Sequence, residues 1–330
     1  MKNIRFSQAI TQALDEEMER DDEVILLGED IGRPGGTFGI TKGLLDKYGA
    51  DRVYDTPISE EAIVGAALGS SMLGARPVVE IMFNDFVALA MDQIVNQAAK
   101  IHYMSGGRLS APLVVRMLCG TNGSTAAQHS QSLEAWFTHV PGLKVVAPST
   151  PEDAKAFLKA AIRDPDPVMF FEQRMLYNTK GEVPDQVEPA PLGRGRVVRE
   201  GSDLTIAAYM KAVRQALEAA ELLGQDGISV EVWDVRSLVP FDREGLRGSL
   251  ERTGRLVTLH EAVVRGGFGA EIAAIAADEC FDLLKAPVAR VGAHCTPHPY
   301  APQLEDTMLP SVERIAEAAR TVVRQPERVA

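Results

Sequence analysis

The chain has 330 residues, 45% of them hydrophobic and 24% charged, with 46 acidic against 34 basic side chains and a formal net charge of −12. That length accommodates two domains with separate apolar cores, and the excess of acid disfavours nucleic acid, whose phosphates need a clustered basic surface. The longest apolar stretches, such as LTIAAYM from Leu204, stop short of the roughly 20 residues of a bilayer span, so no membrane partner is expected.

The opening segment, MKNIRFSQAITQALDEEMERDDE, carries acids early and lacks an apolar h-region, so a cytoplasmic location is expected, or an organelle matrix after processing. Within it Phe6, Ile10, Leu14 and Met18 recur every four residues and predict an amphipathic helix. EVILL from Glu23 predicts a buried strand, AIVGAALGSSML from Ala62 a helix, PVVEIM from Pro77 a strand, residues from about Phe86 to Ala99 a helix, and PLVVRM from Pro112 a strand. Thr150, Pro151, Glu152 and Asp153 combine a capping hydroxyl, a first-turn proline and acids at the positive dipole end, so a helix starts there and runs to about Arg163. PVMFFE from Pro167 reads as the next strand.

Over KGEVPDQVEPAPLGRGR three prolines and three glycines remove all periodicity, which places a linker at 181–196 between a domain at 1–180 and a second at 197–330. Strand-like LTIAAY, ISVEVWDV, RLVTLHEA and APVARV then alternate with helical stretches at about Ala212–Leu223, Glu244–Arg252 and Phe268–Leu284, and a last helix starts near Pro310. Alternation of this kind predicts an α/β protein of two doubly wound domains, each a mostly parallel sheet covered on both faces. Cys119, Cys280 and Cys295 are odd in number and lack metal-type spacing, so three free thiols are expected.

A doubly wound sheet does not by itself reveal an activity. No G-x-G-x-x-G follows the first strand, the nearest string being GGFGAE at Gly266, and there is neither a Walker loop nor an H-E-x-x-H pair. A single-chain dinucleotide-dependent dehydrogenase therefore has no visible nucleotide site.

Eight ordered segments carry a more specific signal: LLGEDIG at Leu26, DTPISEEAIVGAALG at Asp55, PVVEIMFNDF at Pro77, MDQIVNQAAK at Met91, AAQHSQSLEAWFTHVPGLKVVAPSTPEDA at Ala126, AIRDPDPVMFFE at Ala161, HEAVVRGGFGAEIAA at His260 and TPHPYAPQLE at Thr296. Together they resemble the beta subunit of the thiamine-diphosphate-dependent component of pyruvate, branched-chain 2-oxo acid and acetoin dehydrogenases. The resemblance implies a transketolase-like pyrimidine-binding domain followed by a transketolase-like assembly domain. It also implies oxidative decarboxylation of pyruvate or a branched-chain 2-oxo acid, with acyl transfer to lipoamide. An acetoin dehydrogenase beta subunit is the rival within the family. A non-catalytic scaffold subunit is the rival outside it, and would not need Glu60 and His129 together.

By the same resemblance, Glu60 takes the place of the glutamate that contacts a pyrimidine nitrogen of thiamine diphosphate and promotes the imino tautomer. Phe86 matches the aromatic packed against that ring, and Ile58 a residue lining its pocket. Read locally, Ser59 caps a helix, Glu60 complements its dipole, and Ile58 and Phe86 are core. His129 falls on the family's active-site histidine, where a group titrating near neutrality serves decarboxylation or acyl transfer, although a lone histidine is more often structural. His102, His139, His260, His294 and His298 read as structural. Some members hold a potassium ion, and the matching positions are Leu113, Ala161, Ile162, Asp164 and Asp166; read locally, these form a helix end turning at Pro165 and Pro167. The Gly-Asp-Gly motif that binds diphosphate and Mg²⁺ is absent. The resemblance therefore implies an alpha subunit that holds the Mg²⁺, in a tetramer of two alpha and two beta chains. It implies a lipoyl acyltransferase as well, whose basic subunit-binding domain suits an acidic surface.

Overall fold

In the computed structural model, which describes residues 1–121 and 123–326, the four-residue spacing of Phe6, Ile10, Leu14 and Met18 becomes the fully buried face of helix α1 (Phe6–Arg20), after a short strand β1 (Lys2–Arg5). Up to residue 192 the chain adds β2 (Val24–Gly28), α2 (Leu44–Tyr48), β3 (Val53–Asp55), α3 (Glu60–Met72), β4 (Arg76–Ile81), α4 (Ala99–Met104), β5 (Val114–Cys119), α5 (Glu134–Thr138), β6 (Lys144–Val146), α6 (Pro151–Arg163), β7 (Val168–Gln173) and β8 (Lys180–Val183). It then forms β9 (Arg196–Arg199), β10 (Leu204–Ala208), α7 (Ala212–Gln225), β11 (Val230–Asp234), β12 (Ser237–Val239), α8 (Arg243–Thr253), β13 (Leu256–Val263), α9 (Phe268–Glu279), β14 (Ala289–Ala293), α10 (Pro302–Met308) and α11 (Val312–Arg324). Two compact units result: unit 1 holds Met1–Cys119 and Trp136–Leu192, and unit 2 holds Gly120–Ala135 and Gly193–Ala330.

In unit 1 the strands run β6-β7-β5-β4-β2-β3, every neighbouring pair parallel, while β1 pairs antiparallel with β8 apart from that sheet. Helix α1 packs on α6, and an ion pair fixes their contact. The fully buried Glu17 accepts from Arg163 at 2.7 and 2.9 Å and from Arg20 at 2.8 Å. Burial works against the carboxylate, but the two guanidiniums outweigh it and hold its pKa below the ordinary value. The start of α6 is built as its sequence reads, with Pro151 in the first turn and the Thr150 hydroxyl accepting from the Asp153 N–H at 3.1 Å. The helix expected over Phe86–Ala99 is not one element. A 3₁₀ turn at Asn84–Ala90 and a π-helical turn at Gln93–Ala98 precede α4.

In unit 2 the order is β14-β13-β10-β11-β9, parallel except for the antiparallel edge strand β9. Ile206, Val257 and Leu259 of this sheet pack against Ala216, Ala219 and Leu223 of α7 and Ile315, Ala319 and Val322 of α11. The helix expected to reach Leu284 stops at Glu279. Among the described residues no helix is long and apolar enough to cross a membrane.

His260 of β13 occupies a slot that only small neighbours permit. A Cβ on Gly267, Gly269 or Gly292 would fall 2.5, 2.8 or 2.9 Å from its ring. The imidazole is fully buried, stacks on Tyr209 at 6.0 Å between centroids, and has Nδ1 3.1 Å from the Ala262 carbonyl. Burial pushes its pKa from 6.5 down to about 4. Between those values the unfolded chain binds a proton that the folded chain does not, so the stability present above pH 6.5 is lost as pH falls through the window. The shift corresponds to about 3 kcal/mol once pH 4 is reached. Denaturant melts from pH 7 to pH 4 are expected to show a shallower loss of stability in His260→Asn than in the parent chain. Parallel slopes would remove His260 as the cause.

Candidate active site

The N-terminus of α3 is set by two loops that hold each other. The Asp55 carboxylate accepts from the Gly32 N–H at 2.6 Å, and the Thr56 N–H donates to the Gly28 carbonyl at 3.0 Å. A Cβ on Gly32 would lie 2.4 Å from the Asp55 oxygen, so this bond requires glycine. The LLGEDIG turn, with Asp30 at φ 55°, is thereby brought against the segment entering α3. Glu29 reports the proximity: its pKa is raised by burial first, then by the charge of Glu60, then by Asp30.

Glu60 is the first residue of α3 and is only 5% exposed. Its carboxylate has no hydrogen-bond or ion-pair partner among the described residues. Ser59 stands at the cap position, but its side chain makes no capping bond, so the local explanation of this pair as a helix cap loses its first half. A dipole-complementing acid gains from the helix end on an open surface, whereas Glu60 is almost wholly covered. Ile58 is 83% exposed, which no core residue is. Phe86 lies half-buried in the 3₁₀ turn packed against α3, edge-on to Phe83 at 5.8 Å, and Phe83 meets Phe38 in the same way. Glu60, Ile58 and Phe86 thus belong to one region of unit 1.

His129 belongs to unit 2, in the segment Gly120–Ala135. The loop is closed at its base by the Gly120 N–H donating to the Gln131 carbonyl at 2.8 Å. Within it the Thr125 hydroxyl lies 3.1 Å from the His129 carbonyl and 2.6 Å from the Ser130 hydroxyl. Ser124 and Ala126 adopt φ of 59° and 60°, in the left-handed region that side chains disfavour. Beside the loop lies a cavity of about 340 Å³, lined by Ala127, Gln131, Arg265, Cys295 and His298 among others.

The five positions matched to a potassium site also lie together in unit 1, around the turn from α6 to β7. The Leu113 carbonyl accepts from the Val168 N–H at 2.9 Å, that of Ala161 from Asp164 at 3.3 Å, and that of Ile162 from Arg76 at 3.0 Å. A cation of the chain's own is present there, because Lys144 places its ammonium 2.6 Å from Asp164 and 3.0 Å from Asp166. Burial alone would lower the Lys144 pKa, but the two carboxylates raise it. Among the described residues no cluster of three or more His, Cys, Asp or Glu could hold a metal ion. Neither Glu29 nor Lys144 carries a signal of its own in the sequence. Glu29 lies inside LLGEDIG, but its neighbour Glu60 is distant in sequence, and Lys144 reads as an ordinary strand residue.

Residues 2–180 match the model of the transketolase pyrimidine-binding domain, and residues 193–315 that of the transketolase C-terminal domain. The beta subunit of acetoin:2,6-dichlorophenolindophenol oxidoreductase from Bacillus subtilis (strain 168) is 46% identical over 98% of both chains. A mitochondrial pyruvate dehydrogenase E1 beta subunit from Oryza sativa subsp. japonica is 47% identical over 97% of this chain and 86% of its own length. This chain belongs to the transketolase-like family of E1 and acetoin dehydrogenase beta subunits. A mitochondrial pyruvate dehydrogenase E1 beta subunit from Dictyostelium discoideum is 43% identical over 98% of this chain and 92% of its own length. A solved split-gene transketolase, described as an inactive beta4 tetramer, superimposes with a TM-score of 0.80 at 26% identity, over 99% of this chain and all of its own.

In this beta-subunit chain, Lys144→Met leaves Asp164 and Asp166 facing each other without a cation. The expected loss is about 1–2 kcal/mol, since the groups are partly solvated. Thermal melts in KCl and in choline chloride of equal strength should coincide for the parent chain, with KCl restoring part of the loss in the variant. A variant that melts with the parent in both salts would show that the ammonium is idle.

Proposed function

We propose that the chain is the beta half of a thiamine-diphosphate-dependent component that decarboxylates a 2-oxo acid and hands the acyl group to a lipoyl acceptor, an alpha subunit completing the site. The observation that carries this reading is Glu60, only 5% exposed at the first turn of α3 and without a hydrogen-bond or ion-pair partner among the described residues. A carboxyl group so placed is open to a ligand that supplies the missing bond, and an aminopyrimidine ring nitrogen does so. The exposed Ile58 and the half-buried Phe86 ring supply apolar surface for the ring's faces. The residues present therefore fit the pyrimidine end of the cofactor. When bound, thiamine diphosphate supplies the electron sink for decarboxylation.

Glu60 holds a proton at the pyrimidine nitrogen, and Glu29, whose raised pKa keeps it protonated to higher pH than an ordinary glutamate, lies close enough to feel its charge. His129 delivers a proton to the sulfur that departs when the lipoyl disulfide is reduced, a step the cofactor ring does not provide for. The chain has no Gly-Asp-Gly, so Mg²⁺ and the diphosphate fall to the alpha subunit. At the Leu113, Ala161, Ile162, Asp164 and Asp166 turn a potassium ion would be held by backbone carbonyls, beside the Lys144 ammonium that pairs with the Asp164 and Asp166 side chains. The acid excess suits docking of a basic subunit-binding domain of a lipoyl acyltransferase. Acetoin as substrate is the second reading, favoured by the 46% identity to an acetoin oxidoreductase beta subunit over 98% of both chains. Assay of the assembled component with pyruvate, branched-chain 2-oxo acids and acetoin separates the two.

Glu60→Gln in the assembled component is expected to retain assembly while slowing exchange of the thiazolium proton by the roughly 10²–10⁴-fold typical of a lost acid–base group. Exchange at the parent rate would remove Glu60 from the mechanism. His129→Ala is expected to lose lipoyl-coupled turnover by a similar factor, yet to keep decarboxylating with an artificial electron acceptor. Equal losses in both assays would assign His129 to decarboxylation instead.

A further inference from the structure

The loop bearing His129 is held from outside by two acids that the reaction does not use. Glu261, in β13, accepts from the Thr121 N–H at 2.6 Å. Glu305, in α10, accepts from the Thr121 hydroxyl with one oxygen and from the Ser124 N–H at 3.1 Å with the other. The Thr121 hydroxyl oxygen in turn accepts from the Gly123 N–H at 3.2 Å. Thr121, Glu261 and Glu305 are all buried. Lys211 lies 3.7 Å from the second oxygen of Glu261.

Closure of the loop does not need these acids, because the Gly120–Gln131 bond and the Thr125 hydroxyl already tie it internally. Withdrawing two carboxylates from water is costly, and at Glu261 a neutral amide could accept the same donor, whereas Glu305 uses both of its oxygens as acceptors. What the charge adds is strength, since a hydrogen bond to a carboxylate is roughly twice that between neutral groups. Strength is required here because Ser124 and Ala126 are held at φ of 59° and 60°, conformations that persist only where the surroundings over-determine them. The Thr121 and Ser124 attachments lie on the residues that lead into this strained stretch, and the stretch leads directly to His129.

We propose that Glu261 and Glu305 are positioning residues that act through the backbone of Thr121 and Ser124 to present the His129 imidazole in a single placement. The proposal rests on the assignment of His129 to the reaction. Misplacement of a reacting group by about 1 Å is enough to cost 10²-fold in rate.

The test uses the component assembled with its alpha subunit and four variants, Glu305→Ala, Glu261→Gln, Thr121→Val and Thr121→Ser. Hydrogen exchange of the 120–131 amides is expected to accelerate in Glu305→Ala, Glu261→Gln and Thr121→Val. Lipoyl-coupled kcat is expected to fall by about 10–100-fold with KM nearly unchanged. Thr121→Ser, which keeps the hydroxyl, should stay close to the parent in both. In a His129→Ala background, Glu305→Ala should cost nothing further, because a residue that acts only through His129 has nothing left to position. An additive loss in that background, or a Thr121→Ser variant as impaired as Thr121→Val, overturns the proposal. Should Glu305→Ala fail to fold, the Thr121 pair decides alone. A parent component inactive on every 2-oxo acid and on acetoin would refute the functional reading, and loop exchange would still judge the clamp, unaltered protection in Thr121→Val refuting it.

Discussion

One guanidinium organises the centre of unit 1. Arg116 of β5 reaches Glu80 of β4 at 2.9 Å and Glu172 of β7 at 2.7 and 3.0 Å, and the Tyr177 hydroxyl donates to Glu172 at 2.6 Å. Three adjacent parallel strands are thus joined by side chains as well as by backbone. Burial pushes the Glu80 carboxyl up even though Arg116 opposes the change, and it pushes Tyr177 up strongly, while the flanking acids keep Arg116 charged. Removal of any one member strands the others in a dry interior, so such a network is conserved in energy only as a whole. The loop that carries Glu29 rests on it: a Cβ on Gly36 would lie 3.3 Å from a Glu80 oxygen, and one on Gly28 3.0 Å from the Glu80 carbonyl. Through that loop, and through the Gly32–Asp55 bond, the order of the sheet centre reaches the first turn of α3.

The two units bring different kinds of precision to their candidate residues. In unit 1 the carboxylate of Glu60 is placed by regular structure, a helix start whose direction is fixed by the parallel sheet beneath. In unit 2 an irregular loop carries the imidazole, and its geometry comes from side chains reaching in from β13 and α10. Helix starts inherit their rigidity, whereas loops must be given it residue by residue.

How much of this the sequence discloses depends on the range of the interaction concerned. The apolar stripe of α1, the proline-started α6 and the strands β2, β4, β5, β7, β10, β11 and β13 follow from periods of a few residues, and the fold class follows from their alternation. Short strands such as β1 and β8 carry no periodic signal; their pairing is a contact between the two ends of unit 1. The failure of a single helix over Phe86–Ala99 has the same origin, because apolar spacing does not distinguish 3.6 residues per turn from tighter or wider winding over so short a span. Glu60 and His129 were legible only as members of long ordered motifs. Glu29 beside Glu60, Lys144 between two aspartates, and the acids that grip Thr121 are products of tertiary contact, and no local pattern announces them.

The wide turn at Gln93–Ala98 has a bearing on how this chain tolerates change in length. A π-turn accommodates one residue more than an α-turn in the same rise, and an α-helix advances about 100° for each residue. Excision of one residue there would let the backbone relax to ordinary winding while leaving everything downstream at nearly the same angle. Tyr103 and Met104, exposed at 88% and 74% at the end of α4, would keep their side of the helix. The irregular winding therefore acts as one residue of stored slack, whereas the same excision within α4 itself would turn those large apolar side chains by about 100°.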